Sequence, residues 1–229
     1  MMTHQYIVQV NSTQEKVYRT LRDEIISMNL EPGTVISTQE TADRLGVSRT
    51  PVREAFIRLQ RENLLEITPQ RATMVTHIDL NRVYQERFIR EALEIENLDR
   101  FVTIHSERTF EKMRRSIERQ KIALKEKEYA EYIELDNEFH RLSLRETGER
   151  LGAEIMNQMN GHYDRIRLLT CQVEKIVTKA IEEHVQLLEA CRARDVAQAK
   201  RILRGHLQQL LIQEELLVET WPNYFKKDI

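Results

Sequence analysis

The sequence contains little that would bend, cross-link or export the chain. Its 229 residues include six glycines, four prolines and two cysteines. No apolar run approaches the roughly 18 residues of a membrane-spanning helix, and the N-terminus lacks the basic-then-apolar pattern of a secretory signal. Both cysteines fall within expected helices, which favours reduced thiols. We therefore expect a cytoplasmic protein that has no membrane partner.

A surplus of positive charge is also missing. The net charge is -2, and the first 78 residues carry as many acidic as basic side chains. This excludes a protein that coats nucleic acid through its overall charge, so any affinity for DNA must come from a local patch. The abundant Leu, Glu, Arg, Ala and Gln favour helices. The sequence predicts a mostly α protein with two domains, residues 1–78 and 79–229.

Three helices and a hairpin are expected in the first domain. Residues 12–28 have the period of an amphipathic helix, capped by Ser12 and Glu15 and stopped by Pro32-Gly33. A short second helix starts at Ser37 and ends at Gly46. Residues 65–68 and 73–77 are β-compatible and flank a turn.

The third helix of this domain begins at Ser48. With Ser48 as N-cap, Pro51 falls in the first turn, where its missing N–H has no intrahelical partner to lose. The apolar residues of this helix then face the interior of the domain, and Arg49 and Arg53 project from its N-terminal end. An arginine in that position can reach guanine N7 and O6 in the major groove, while Ser48 and Thr50 suit phosphate oxygens.

After residue 79 the chain shows a series of about six long helices. Their expected ranges are 80–104, 107–126, 128–146, 150–172, 174–193 and 195–218. Helices of this length and number predict an all-α bundle closed around one core.

The N-terminal pattern resembles a known family. Two short helices, a glycine turn and a hairpin are the parts of a winged helix-turn-helix. The run "GVSRTPVREA" followed by "LQRENLLE" resembles the DNA-binding domain of the GntR family of bacterial transcription regulators, over about residues 12–77. The resemblance implies that Arg49 and Arg53 contact bases or phosphates, that Ser48 and Thr50 contact the backbone, and that Arg71 enters the minor groove. Gln39 occupies a DNA-facing position at the start of helix two, where the family often has arginine.

A second pattern involves histidines in the C-terminal half. Asp136 and His140 are separated by four residues and therefore share one helical face, which lets both bind the same cation. His184 and His206 lie beside apolar residues on two later helices. Each histidine alone is more often a core or surface residue. Together one Asp and three His can supply the oxygen and nitrogen ligands of a divalent metal ion, Zn²⁺, Ni²⁺, Fe²⁺ or Mn²⁺.

This half resembles the FCD effector domain of the FadR branch of GntR regulators, over roughly residues 80–220. In metal-binding members of that branch, positions matching Asp136, His140, His184 and His206 hold the cation. In "RFIREALE" Arg90 matches an arginine that faces the pocket. A cation and a guanidinium together suit a small carboxylate, although Arg90 could equally form a solvated pair with Glu94. His162 is a candidate pocket-lining residue.

The sequence therefore predicts a homodimeric, ligand-responsive repressor. Two recognition helices about one turn of DNA apart would match a roughly palindromic double-stranded operator. Two other functions are open at this point: an effector-blind DNA binder with a structural metal, and a metalloenzyme. The enzyme is disfavoured because no general base or nucleophile stands beside the expected ligands.

Overall fold

The computed structural model describes residues 12–68, 72–172, 174–209 and 214–227. The chain divides into two compact units: one comprises the residues up to Ile25 together with Asn29–Thr76, and the other comprises Ile26–Met28 and the residues from His77 onward. None of the described helices is both long and apolar enough to cross a bilayer.

The N-terminal unit is a winged helix-turn-helix. Its elements are α1 (Thr13–Ile26), β1 (Val35–Ile36), α2 (Thr38–Leu45), α3 (Arg49–Arg61), β2 (Leu65–Ile67) and β3 (Thr73–Val75). Gly46 ends α2 in the left-handed conformation at φ 65°, which glycine adopts without a steric cost. The core lies between α1 and α3, where Leu21, Ile25, Val52 and Leu59 are fully buried.

The wing has one more strand than the sequence predicted. β3 lies in the middle of an antiparallel sheet, with β2 on one side and β1 on the other. β1 is only two residues long, so it shows no alternation of apolar and polar residues that could identify it. Its pairing with Thr73 and Met74 is a tertiary contact.

The C-terminal unit is all helical, as predicted. Its elements are α4 (Leu80–Ile104), α5 (Glu107–Lys125), α6 (Tyr129–Glu146), α7 (Arg150–Gln158), α8 (Gly161–Thr170), α9 (Glu174–Arg192), α10 (Val196–Gln208) and α11 (Glu214–Thr220). Ser106 caps α5 and Asp195 caps α10 through side-chain acceptors. The core is formed by apolar side chains of α4, α5, α6, α9 and α10.

One of the six expected helices is divided into two, and another contains residues 210–213, which lie outside the described part of the chain. The expected helix 150–172 is broken at Met159 and Asn160, where Asn160 leaves helical geometry at φ -137° and ψ 12°. Its side chain donates to Asp164, and the N–H groups that open α8 bind the Glu86 carboxylate instead of a preceding turn. The expected helix 195–218 is described as α10 and α11. The described part of this unit therefore has eight helices.

Candidate metal centre and nucleic-acid interface

Four residues that the sequence singled out converge inside the C-terminal unit. Asp136 and His140 lie on α6, His184 on α9 and His206 on α10. One ligand atom from each lies within 4.8 Å of the others. Asp136, His140 and His184 are buried, and His206 is partly exposed. Three helices thus bring three imidazoles and one carboxylate to a single point.

The outer nitrogen of each imidazole is held by a group that accepts a hydrogen bond. His140 Nδ1 lies 2.5 Å from Glu94 Oε2, and His206 Nδ1 lies 3.0 Å from Glu183 Oε2. A carboxylate accepts, so both Nδ1 atoms carry the proton. His184 Nδ1 lies 3.0 Å from Gln120 Oε1.

The orientation of the Gln120 amide extends this assignment to His184. Gln120 Nε2 is near the Leu135 carbonyl oxygen, at 3.4 Å, and that oxygen can only accept. The amide nitrogen must therefore face Leu135, and Oε1 must accept from His184 Nδ1. All three rings then carry their proton on Nδ1, which turns three Nε2 lone pairs toward the common point.

This arrangement fits a divalent cation. His184 Nε2 lies 3.2 Å from His140 Nε2 and 3.3 Å from His206 Nε2. Two nitrogens that bind one tetrahedral ion at about 2.0–2.1 Å lie roughly 3.3–3.4 Å apart. Since no proton is left between these nitrogens, a cation bound by them would offset the repulsion between their lone pairs. Asp136 Oδ1, 3.4 Å from His184 Nε2, completes a donor set of three nitrogens and one oxygen.

The protonation states suit metal binding at neutral pH. Burial lowers the pKa of His140 to about 4, although Glu94 opposes this shift. Burial, followed by the neighbouring His206, lowers the pKa of His184 well below its usual value. Burial alone would raise the pKa of Asp136, but Arg167 and the surrounding groups hold it well below its usual range. The two rings are thus neutral and the carboxylate is ionised.

Two buried arginines orient the Asp136 carboxylate. Arg90 Nη2 donates to Asp136 Oδ2 at 3.2 Å and Arg90 Nε donates to Glu94 at 2.8 Å. Arg167 on α8 also binds Asp136 Oδ2, and it pairs with Asp164 at 2.8 Å. These two guanidinium groups face the carboxylates of Asp136, Glu94 and Asp164, so this group of five side chains carries one negative charge in excess. A divalent cation would offset that charge.

Arg90 and three residues that the sequence did not indicate contact the candidate metal ligands. Arg90 is buried and is not part of a solvated pair with Glu94. No local pattern in the sequence indicates Gln120, Glu183 or Arg167, because their partners lie 64, 23 and 31 residues away in the chain.

A cavity of about 50 Å³ adjoins the cluster. Asp136 and His206 form part of its wall, and Tyr132, Tyr163, Arg167, Thr170 and Gln209 contribute further polar groups. Arg90 lines a separate, smaller cavity of about 10 Å³. The second space is large enough for about one water molecule. The larger cavity is therefore the one that can admit a small ligand beside the metal ligands.

His162 lies away from both cavities. It is buried at the start of α8, where its Nδ1 accepts from the Asp79 backbone N–H at 3.0 Å and lies 3.0 Å from Arg165 Nη2. The structure thus does not bring His162 to the cluster. The reason is the break at Asn160, which starts a new helix and changes the direction in which position 162 faces.

The N-terminal end of α3 is exposed in the N-terminal unit. Ser48 occupies the N-cap position, but its side chain makes no capping hydrogen bond. Thr50, Arg49 and Arg53 are exposed, while Pro51 is buried. Free N–H groups of a first helical turn favour anions such as phosphate.

The arginines of this unit differ in their ion-pair partners. Those on the sides of the helices form ion pairs with glutamates: Arg19, Arg22, Arg44 and Arg58. Within the described residues, neither Arg49 nor Arg53 has a carboxylate partner, so both guanidinium groups can bind an external anion. Gln39 on α2 is exposed and donates to Asp43 at 2.8 Å. The prediction for Arg71 lies outside the described residues.

Comparison with known proteins agrees with this architecture. Residues 13–75 match the family described as bacterial regulatory proteins, gntR family, and residues 87–209 match the FCD domain. The HTH-type transcriptional repressor RspR of Escherichia coli is 31% identical over 205 residues, which cover 88% of this chain and 90% of that protein. The gluconate operon transcriptional repressor of Bacillus subtilis is 27% identical and covers 81% of this chain and 78% of its own length.

The fold is also found in solved structures. E. coli McbR/YncC aligns with a TM-score of 0.77 at 22% identity, over 92% of this chain and 99% of that one. A regulator of the GntR type from Rhodococcus aligns with a TM-score of 0.74 over 92% of this chain and 98% of its own. The chain is therefore a member of the gntR family, a transcriptional regulator with an FCD domain and not an enzyme.

Proposed function

We propose that this regulator is a repressor that binds a roughly palindromic operator and responds to a small carboxylate held by a divalent cation. The observation that carries the ligand-sensing half is the convergence of three Nε2 lone pairs and Asp136 beside a cavity. In this proposal, residues 1–78 form the DNA-binding domain and residues 79–229 form the sensor and dimerisation domain, in a cytoplasmic protein.

The DNA-binding half depends on the exposed N-terminal turn of α3. Arg49 and Arg53 would read bases or hold phosphates, and Ser48, Thr50 and Gln39 would contact the backbone. Arg71 is proposed for the minor groove by family resemblance. Support comes from the exposure of Arg49 and Arg53, which have no acidic partner in the described part of the chain, and from the exposed Ser48 hydroxyl, which makes no capping hydrogen bond.

The cation would be held by Asp136, His140, His184 and His206, and it would be Zn²⁺, Ni²⁺, Fe²⁺ or Mn²⁺. When bound, it supplies open coordination positions that attract a carboxylate. Arg167, which reaches the same cavity, would pair with that ligand. A volume of about 50 Å³ has room for roughly four water-sized groups, so acids of about two to four carbons are favoured.

The homodimer is proposed to form through α4 and α7. These helices pack together, since a Cβ on Gly152 would lie 3.7 Å from Leu93. They expose the large apolar side chains Phe88 and Leu151, at 66% and 69% of full exposure, and Met159 directly after α7 is exposed as well. Exposed apolar side chains on adjacent helices are typical of a protein interface. A twofold axis there would give the paired recognition helices that a palindrome requires.

The DNA-binding half is tested by selecting a duplex from a random pool with the wild-type protein and measuring affinities for it. Arg49→Ala or Arg53→Ala is expected to weaken binding by about 5- to 150-fold, since an arginine contact to a base contributes about 1–3 kcal/mol. Arg61→Ala, at the other end of α3, is the matched control and should retain wild-type affinity. Equal affinity in the wild type and all three variants would contradict the proposal that α3 is the recognition helix.

The sensing half is tested by thermal unfolding of the zinc-loaded protein with a panel of acids that includes acetate, lactate, malonate and citrate. A ligand at 100 times its dissociation constant stabilises by about 2.7 kcal/mol, and it should shift operator affinity reciprocally. His184→Ala should lose the shift. Zinc binding with no response to any acid would favour an effector-blind DNA binder with a structural metal.

A further inference from the structure

The first residues after the N-terminal unit are held by the end of the chain. We call residues 77–79 the linker and residues 221–227 the C-terminal strap. Ile78 forms a parallel bridge with Phe225. The Ile78 N–H donates to the Tyr224 carbonyl at 2.8 Å, and the Lys226 N–H donates to the Ile78 carbonyl at 2.9 Å. Both backbone groups of Ile78 are therefore bound by the strap.

Side chains reinforce this backbone pairing. Ile78 is fully buried in an apolar cluster with Phe225, which is also buried. Lys226 Nζ lies 3.0 Å from Asp79 Oδ2, in a pair that is largely exposed and therefore weak. The apolar insertion of the fully buried Ile78 side chain is accordingly the stronger part of the contact.

Helix α8 holds the linker from another side. Its residues Tyr163, Ile166 and Leu169 belong to the same apolar cluster as Ile78. His162, at the start of α8, accepts a hydrogen bond from the Asp79 N–H at 3.0 Å. The position of α8 therefore determines where the linker can pack.

The same helix reaches the metal centre. Arg167 binds the Asp136 carboxylate, and Arg167 and Tyr163 both line the 50 Å³ cavity. Tyr163 thus borders the cavity and belongs to the apolar cluster around Ile78. A change at Asp136 or in the cavity cannot displace α8 without changing the packing around the linker, because packed interiors do not deform continuously.

We propose that α8 and the C-terminal strap form a clamp on the linker, and that metal and ligand occupancy act on DNA binding by tightening this clamp. The inference rests on the proposed function of the metal centre. A cation fixes Asp136, Asp136 fixes Arg167 and α8, and α8 with the strap fixes Ile78. The strap is thereby a regulatory part of the protein and not only its end.

The test is amide hydrogen exchange on the full-length protein with and without Zn²⁺. Zinc uptake is measured in parallel by competition with a chromophoric chelator. The Ile78 and Lys226 amides are expected to exchange at least about fivefold more slowly with zinc, the lower end of a typical coupling free energy. The Val75 amide, bonded to Thr34 in the N-terminal unit, is the internal reference and should change less than about twofold.

Four variants distinguish an effect on the clamp from a general loss of stability. Phe225→Ala should take up zinc normally but lose the zinc response of the Ile78 amide, and its operator affinity should become the same with and without zinc. Lys226→Gln should reduce the response partly, while Lys227→Gln, the same change on the adjacent exposed lysine, should leave it intact. Leu203→Ala lowers core stability at a site away from the linker and should keep the response.

The results distinguish a failure of the proposed clamp from a failure of the proposed metal centre. Zinc uptake without any change at Ile78 and Lys226, or a full zinc response of operator affinity in folded Phe225→Ala, would overturn the clamp and leave the metal sensor standing. No zinc uptake by the wild type would overturn the proposed metal centre, and the clamp with it.

Discussion

Replacing Gln120 by methionine should weaken metal binding although Gln120 touches no metal. The amide oxygen accepts from His184 Nδ1 at 3.0 Å, and Gln120 is fully buried. Methionine has a similar length and no branch, so it fills the space but cannot accept a normal hydrogen bond. His184 would then be left with a buried, unpaired N–H.

The expected loss of zinc affinity depends on how the His184 ring responds to the lost acceptor. Leaving a buried donor unpaired costs about 1–3 kcal/mol, and His184 can avoid this by moving its proton to Nε2, which lies 3.4 Å from Asp136 Oδ1. That tautomer takes away the lone pair that the cation needs. Loss of a group that orients a metal ligand typically costs 10- to 100-fold in affinity, or about 1.4–2.7 kcal/mol. We expect a Kd for Zn²⁺ raised by that factor.

The assay is competition with a chromophoric chelator at pH 7.5. Gln120→Glu keeps an acceptor facing Nδ1 and should retain most of the affinity. Gln158→Met makes the same replacement at an exposed position of α7 and serves as the control. A folded Gln120→Met protein that binds zinc within twofold of the wild type would refute the assigned tautomer of His184 and the reasoning built on it.

Three further predictions concern pH, assembly and thiol chemistry. In zinc-free protein the free energy of unfolding should fall as the pH drops from about 6.5, the ordinary pKa of His, toward 4, because burial lowers the pKa of His140 to about 4 and only the unfolded chain takes up the proton in this range. Urea titrations should show a loss of about 2 kcal/mol from this ring at pH 5. A flat pH profile would contradict the buried neutral imidazole. Leu151→Asp should convert the proposed dimer to a monomer in analytical ultracentrifugation, whereas Ile122→Asp, at an exposed apolar position on α5, should leave the assembly unchanged. A dimeric Leu151→Asp protein would exclude α7 from the interface. Cys171 and Cys191 are buried free thiols, and burial raises the pKa of each to about 12, so a thiol reagent at pH 8 should label them only after unfolding, and rapid labelling of the native protein would argue against the packing around them.

The boundaries of α3 show what could be predicted from the sequence. Ser48 and Pro51 predict the start of this helix because serine is favoured at the N-cap position and proline in the first turn, and the apolar residues that follow bury the face opposite Arg49 and Arg53. The same local reasoning placed Asp136 and His140 on one face of α6. The fold class and the family were confirmed, since both depend on short patterns of this kind.

Features that join distant parts of the chain could not be predicted in this way. The break at Asn160 depends on Glu86, which binds N–H groups 76 and 77 residues away. Gln120, Glu183 and Arg167 carry no local signal, and the position of His162 followed from that break. The strand β1 is too short to have a pattern of its own.

The sequence by itself determined most of the helices, several of their caps, the exposed arginines and the four candidate metal ligands, because capping, backbone dihedrals and helical period act over a few residues. Only the tertiary structure decided which nitrogen of each imidazole faces the common point, where the cavity lies and how Phe225 and α8 enclose Ile78. These depend on the packing of helices whose contacting side chains are tens of residues apart, and the geometry of that packing is set by the whole core and not by any one segment.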